Sequence, residues 1–117
     1  MDRNEKLKNM SFEKLYGCLV EKAQRKGRTR NEVDTVTSWL TGYSPDQIDG
    51  MISDGTTYGG FIENAPAWNP LFVQIRGRIC NVRVEEIKDL FMRKVRCLDK
   101  LVDDLAKGKP MEKIIPE

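Results

Sequence analysis

The chain has no histidine, and its three cysteines, Cys18, Cys80 and Cys97, lie far apart with no CxxC pair. A zinc site built on Cys and His is thereby all but excluded, and no histidine general base is available at neutral pH. An odd, scattered set of thiols reads instead as reduced side chains packed in or near the core. Long hydrophobic runs are missing too. The aliphatic and aromatic stretches are as short as Leu71-Phe72-Val73, against the roughly 20 residues a membrane helix needs. The opening MDRNEKLKNMS is charged and lacks an apolar h-region, so no secretory signal is read there and a cytoplasmic location is expected. GTTYGGF is rich in glycine, but it lacks the lysine and the strand-to-helix context of a phosphate loop. Between Asn31 and Ile75 no residue is basic.

What is present is ordinary for a globular domain. The 117 residues are 32% charged and 39% hydrophobic, which suits one domain with a core of its own. The expected organisation is a single domain over residues 1–117, with residues 1–10 as a flexible N-terminal segment. The net charge of +2 hides a pattern: residues 1–30 carry nine basic and four acidic groups, residues 31–75 six acidic groups, and residues 76–117 eleven basic and eight acidic groups. An acidic middle between two basic ends can fold against them or meet a charged partner.

Helical signals run along most of the chain. Ser11 reads as an N-cap, followed by Phe12, Leu15, Tyr16, Leu19, Val20 and Ala23 at helical spacing and a stop near Gly27. Thr29 to Glu32 fits a capping box before a stripe of Val33, Val36, Thr37 and Leu40, ended by Gly42. Ser44-Pro45-Asp46-Gln47 is a second box, with proline at the first helical position, before Ile48, Met51 and Ile52. A short turn is expected at Phe61-Ile62, and a short helix from Asn69-Pro70 to Gly77. The run RICNVRV alternates as a strand does, but with no partner strand in view a sheet is not expected. A long helix is expected from Glu85 to Lys107 on Ile87, Leu90, Phe91, Val95, Leu98, Leu101, Val102 and Leu105, with an Asp89–Arg93 pair on its surface. Met111 to Ile115 should dock as a last turn. The fold class is therefore all-α: one compact domain of five or six helices with a long C-terminal helix, and at most a minor extended segment near residues 78–84.

The stretch GRTRNEVDTVTSWLTGY, the pair Asn69-Pro70, the segment RVEEI and the ending LDKLVDDLAKGKPMEKI together resemble the bacterial family known as domain of unknown function 2200. The resemblance runs from about Ser11 to Ile114. It implies a small bacterial cytosolic protein, and it brings no activity and no catalytic residues.

Residues 37–52 also have the outline of a DNA-reading helix-turn-helix, with Ser38, Gly42 and Ile48 at the motif's spacing. The second helix of such a motif lies between two rows of phosphates. Here it carries Asp46 and Asp49 and no cation, so the electrostatic part of DNA affinity is lost. The expectation is a packed helical corner and no specific DNA binding.

The basic ends, with Lys22, Arg25, Lys26, Arg28 and Arg30 in one cluster and Arg76, Arg78 and Arg83 in another, leave nucleic-acid binding as an alternative, although no RNA-binding aromatic motif accompanies them. Adjacent carboxylates such as Glu85-Glu86 and Asp103-Asp104 leave a histidine-free enzyme acting on an anionic substrate as another, although such pairs ordinarily face water. Trp39 reads as half-buried in the core. Trp68, in the loop APAWNP, is a better interaction anchor, because aromatic residues and arginine are enriched at binding hot spots. The leading expectation is a non-enzymatic interaction or regulatory protein with no catalytic residue, metal or cofactor. Its binding residues would be Trp68, Arg76, Arg78 and Arg83, its partner a protein segment, an anionic ligand or a second copy in a homodimer.

Overall fold

The computed structural model describes residues 3–79 and 81–115. In chain order they form α1 (Arg3–Asn9), α2 (Phe12–Arg25), α3 (Arg30–Thr41), α4 (Pro45–Asp54), α5 (Tyr58–Glu63), a 3-10 turn at Pro70–Gln74, β1 (Arg78–Ile79), β2 (Val82–Arg83), a 3-10 turn at Val84–Glu86, α6 (Leu90–Ala106) and α7 (Met111–Ile114). The architecture is all-α around one long C-terminal helix, with seven α-helices among the described residues where the sequence suggested five or six. None of them is long and apolar enough to cross a membrane.

Local chemistry sets most of the ends. The Ser11 hydroxyl accepts from the Lys14 amide at 3.3 Å and starts α2. Thr29 with Glu32, and Ser44 with Gln47, close two reciprocal capping boxes at the heads of α3 and α4. Thr57 caps α5 by accepting from Gly60, and Asn69 caps the 3-10 turn by accepting from Leu71. Gly42 and Gly55 end α3 and α4 in the left-handed region, at φ 84° and 81°.

Helix α6 is the hub. It packs on α2, α3 and α5, on the β1–β2 hairpin and on α7. Val95, Leu98, Leu101, Val102 and Leu105 are buried on it and meet Phe12 and Tyr16 of α2, Val33, Val36 and Leu40 of α3, and Phe61 of α5. Aromatic rings fill the centre: Phe12 lies 4.5 Å from Phe61 and 5.0 Å from Tyr16, and Tyr43 lies 5.4 Å from Phe61. Buried hydroxyls find partners, since Tyr43 donates to the Phe61 carbonyl at 2.8 Å and Thr37 to that of Val33 at 2.9 Å.

Three expectations change. Arg78 to Val84 does form a sheet, because the segment pairs with itself: Arg78 faces Arg83 and Ile79 faces Val82 in an antiparallel hairpin, with Asn81 left-handed at φ 65°. Asparagine tolerates that conformation.

The long helix begins at Leu90 and not at Glu85. Asp89 takes the N-cap, accepting from the Phe91 and Met92 amides at 3.0 and 3.4 Å, and Ile87 ahead of it is extended. That leaves no Asp89–Arg93 ion pair. Arg93 turns to the Val73 carbonyl, 3.4 Å away.

Third, residues 3–9, inside the segment read as a flexible arm, form α1, which packs against α5. Asn4 donates to Asp89, and Lys8 pairs with Glu63 at 3.8 Å. Of the thiols, Cys97 is buried and Cys18 is exposed. Cys80 lies outside the described residues.

Candidate functional site

Trp68 is presented by a loop tied to the end of α3. Helix ends leave carbonyls without intrahelical partners. Here the loop supplies the missing donors: Ala67 N reaches Thr41 O at 3.0 Å, Asn69 N reaches Leu40 O at 2.8 Å, and Asn69 Nδ2 reaches Trp39 O at 3.2 Å. Gly42 permits the approach, since a Cβ there would sit 2.7 Å from the Ala67 Cβ. Trp39, half-buried as expected, lies under the same junction.

From that loop Trp68 leans onto the first half of α6. Its ring meets Phe72 edge-on at 5.8 Å, and the Lys94 ammonium stands 4.8 Å over it. The Arg93 guanidinium lies 5.4 Å over Phe72, and Lys8 lies 5.0 Å over Phe91. Three rings thus carry three cations along one strip, a favourable contact with each ring's negative face. Arg93 and Lys94 pair with no carboxylate among the described residues. Two donors there are buried without an acceptor: the Trp68 indole Nε1 and Arg93 Nε. Beside them Leu90 is 57% exposed and Val73 48%. A hollow of about 150 Å³, lined by Ile62, Glu63, Leu90, Phe91 and Lys94, adjoins the strip.

The arginines suggested by the sequence stand elsewhere. Arg78 and Arg83 are brought together across the hairpin, and both are exposed. Arg76 is exposed and lines a cavity of about 530 Å³ over Ile75, Leu101 and Ile114, rimmed by Asp104, Lys109, Glu112 and Lys113. The partners of Trp68 are Phe72 and Lys94, not these arginines. Arg93, Lys94, Leu90 and Phe72 were not singled out as site residues from sequence. The adjacent Arg93-Lys94 pair on the long helix was the available signal.

Most of the N-terminal basic cluster is engaged. Lys22 meets Asp103 at 3.0 Å, Arg25 meets Glu21 at 2.5 Å and Arg28 meets Glu32 at 2.6 Å. Arg30 reaches Asp34 at 3.5 Å and also pairs with Asp49, so it ties α3 to α4 across the corner that resembles a DNA reader.

The groups that could do acid–base or nucleophilic chemistry are likewise restrained. Tyr16 donates to Asp34 Oδ1 at 2.5 Å, and burial, with that bond, pushes its hydroxyl far above the ordinary value. Burial pushes the Cys97 thiol up to about 12, which keeps it neutral and a poor nucleophile. Buried Lys100 pairs with buried Asp104. Among the described residues no three metal-ligating side chains converge.

This chain is similar over its length to a solved structure titled as the crystal structure of uncharacterized protein SP1917. The two are 45% identical with a TM-score of 0.90, covering 97% of this chain and 92% of the other. No curated protein matches it. A bacterial family profile matches residues 6–116, nearly the whole fold just described, and the chain therefore belongs to the family of uncharacterized proteins conserved in bacteria, DUF2200.

Proposed function

We propose that the protein acts in the cytoplasm by binding and not by catalysis, and that its partner is a protein segment carrying carboxylates beside an apolar side chain. The observation that carries this reading is the pair of cations set on rings, Arg93 on Phe72 and Lys94 on Trp68, beside the exposed Leu90. Aromatic residues and arginine are enriched at binding hot spots, and a partner's carboxylates would neutralise these two cations. One apolar side chain fits the hollow of about 150 Å³ at Leu90 and Phe91, and an adjacent carboxylate then meets Lys94 and Arg93. The paired state of Lys22, Arg25, Arg28 and Arg30 favours this over a nucleic-acid role.

The test is a chemical-shift titration of the whole protein with a short amphipathic peptide of leucine and glutamate. Its lysine counterpart and a single-stranded oligonucleotide serve as comparisons. The acidic peptide should perturb Trp68 and the first half of α6, and Trp68→Ala or Lys94→Glu should weaken it at least about tenfold, as loss of a hot-spot residue does. Equal response to all three probes, or none to the acidic one, overturns the reading. Sedimentation over a concentration series adds the homodimer as a distinct outcome: association abolished by Lys94→Glu would make the partner segment a second copy's own.

A further inference from the structure

A cavity of about 240 Å³ lies among α1, α2, α5 and α6. Its apolar wall comes from register. Leu15 and Leu19 are one helical turn apart on α2 and only partly buried where Phe12, Tyr16 and Ala23 are fully so; Val95 of α6 and Leu7 of α1 complete the wall. The helices leave these side chains facing a gap.

Three polar groups share that gap. Tyr58 is 2% exposed, and its hydroxyl has no hydrogen-bond partner among the described residues. Asp99 accepts through Oδ2 from Arg96 Nη1 at 3.1 Å, which leaves Oδ1 to accept from elsewhere. Burial raises the Asp99 carboxyl above the ordinary value against the opposing pull of Arg96. An apolar pocket with a few convergent polar groups is the usual form of a small-molecule site.

We propose that this cavity binds a small neutral molecule with a compact apolar body and a head that both donates and accepts a hydrogen bond, as a primary amide or an alcohol does. The body suits Leu7, Leu15, Leu19 and Val95, and the volume exceeds the roughly 150 Å³ of a protein cavity that holds benzene. The head donates to Asp99 Oδ1 and accepts from the Tyr58 hydroxyl. Charge is disfavoured in both signs: Asp99 and Arg96 already neutralise one another, so an ionic head would be desolvated without a counter-ion of its own. This site shares no residue with the Trp68 strip, so it stands or falls separately from the partner reading.

Phenylacetamide, phenylacetate and phenethylammonium share one apolar body and differ only in the charge of the head. Titrated into the full-length protein at neutral pH and followed by amide chemical shifts, phenylacetamide should perturb Leu15, Tyr58 and Val95. The two ions should bind at least about tenfold more weakly. Tyr58→Phe keeps the ring against Phe12 and Phe61 and removes the hydroxyl, so it should weaken the amide about fivefold or more. Leu15→Trp, which fills the gap, should abolish binding while circular dichroism reports an intact fold. If Leu15→Trp does not fold, the probe series and Tyr58→Phe decide alone. No perturbation at these residues by about 5 mM amide overturns the proposal, and so does equal binding of all three probes that Tyr58→Phe leaves unchanged.

Discussion

The two halves of α6 treat charge in opposite ways. In the second half every carboxylate has a cation. Asp103 is held by Lys22 at 3.0 Å and Lys107 at 2.9 Å, Asp104 by Lys100 and by Lys109 at 3.4 Å, and Arg28 caps the helix end by donating to the Leu105 carbonyl at 3.3 Å. In the first half Arg93 and Lys94 have rings where the second half has carboxylates. The lesson lies on the link from packing to function. One continuous helix serves as a finished interior at one end and as an unfinished surface at the other, and cations that meet rings in place of carboxylates mark the difference.

Leu98→Ala, in the finished part, should have the largest effect. Leu98 is fully buried, and such truncations cost about 2–5 kcal/mol; urea unfolding would read the loss, and a change of a few tenths would show that this face is not core. Next comes Asp104→Ala, which strands the buried Lys100 ammonium and should cost about 3 kcal/mol. The double change Lys100→Met with Asp104→Leu should recover most of it, because removing both charges removes the desolvation penalty. If the double variant is as unstable as the single, the pair is not what holds that end. Trp68→Ala, in the unfinished part, should cost only about 1 kcal/mol of stability; a loss of about 3–5 kcal/mol would move Trp68 into the core and dissolve the contrast. The smallest effect is on pH dependence. Burial works against the Asp103 carboxylate, but hydrogen bonds from Lys107 and Lys22 outweigh it and hold the group below its ordinary value of 3.8. A depressed acid contributes stability that is full above its unfolded value and lost as pH falls through its folded one. Asp103→Asn should therefore flatten the acid limb of a stability–pH curve, and an unchanged limb would show that this pairing adds nothing.

The caps and stripes were legible because they are written within a few residues. Ser11, Thr29 with Glu32, Ser44 with Gln47, and the leucines of α6 each act on a neighbour one turn away. The start of α6 was misplaced because Glu85 and Glu86 and Asp89 both suit a helix head, and only the extended backbone at Ile87 decides between them. The extended segment near residues 78–84 was legible, and its pairing was missed because its partner is itself. The Trp68–Lys94 and Lys8–Phe91 contacts, and the placing of Tyr58 beside Asp99, join residues far apart in sequence, and no local periodicity encodes them. Tyr58 stood inside a segment read only for its glycines.

The position of α6 also bears on the order of synthesis. The helices from α2 to α5 carry their own caps, yet the surface they share is completed only by a helix that begins some 27 residues after α5 ends. At roughly 5–20 residues per second, the aromatic cluster of Phe12, Tyr58 and Phe61 exists for seconds before Leu98 and Leu101 leave the ribosome. A nascent chain of this protein therefore passes through an interval in which these hydrophobic residues lack their native cover, and the interval closes only when α6 has emerged.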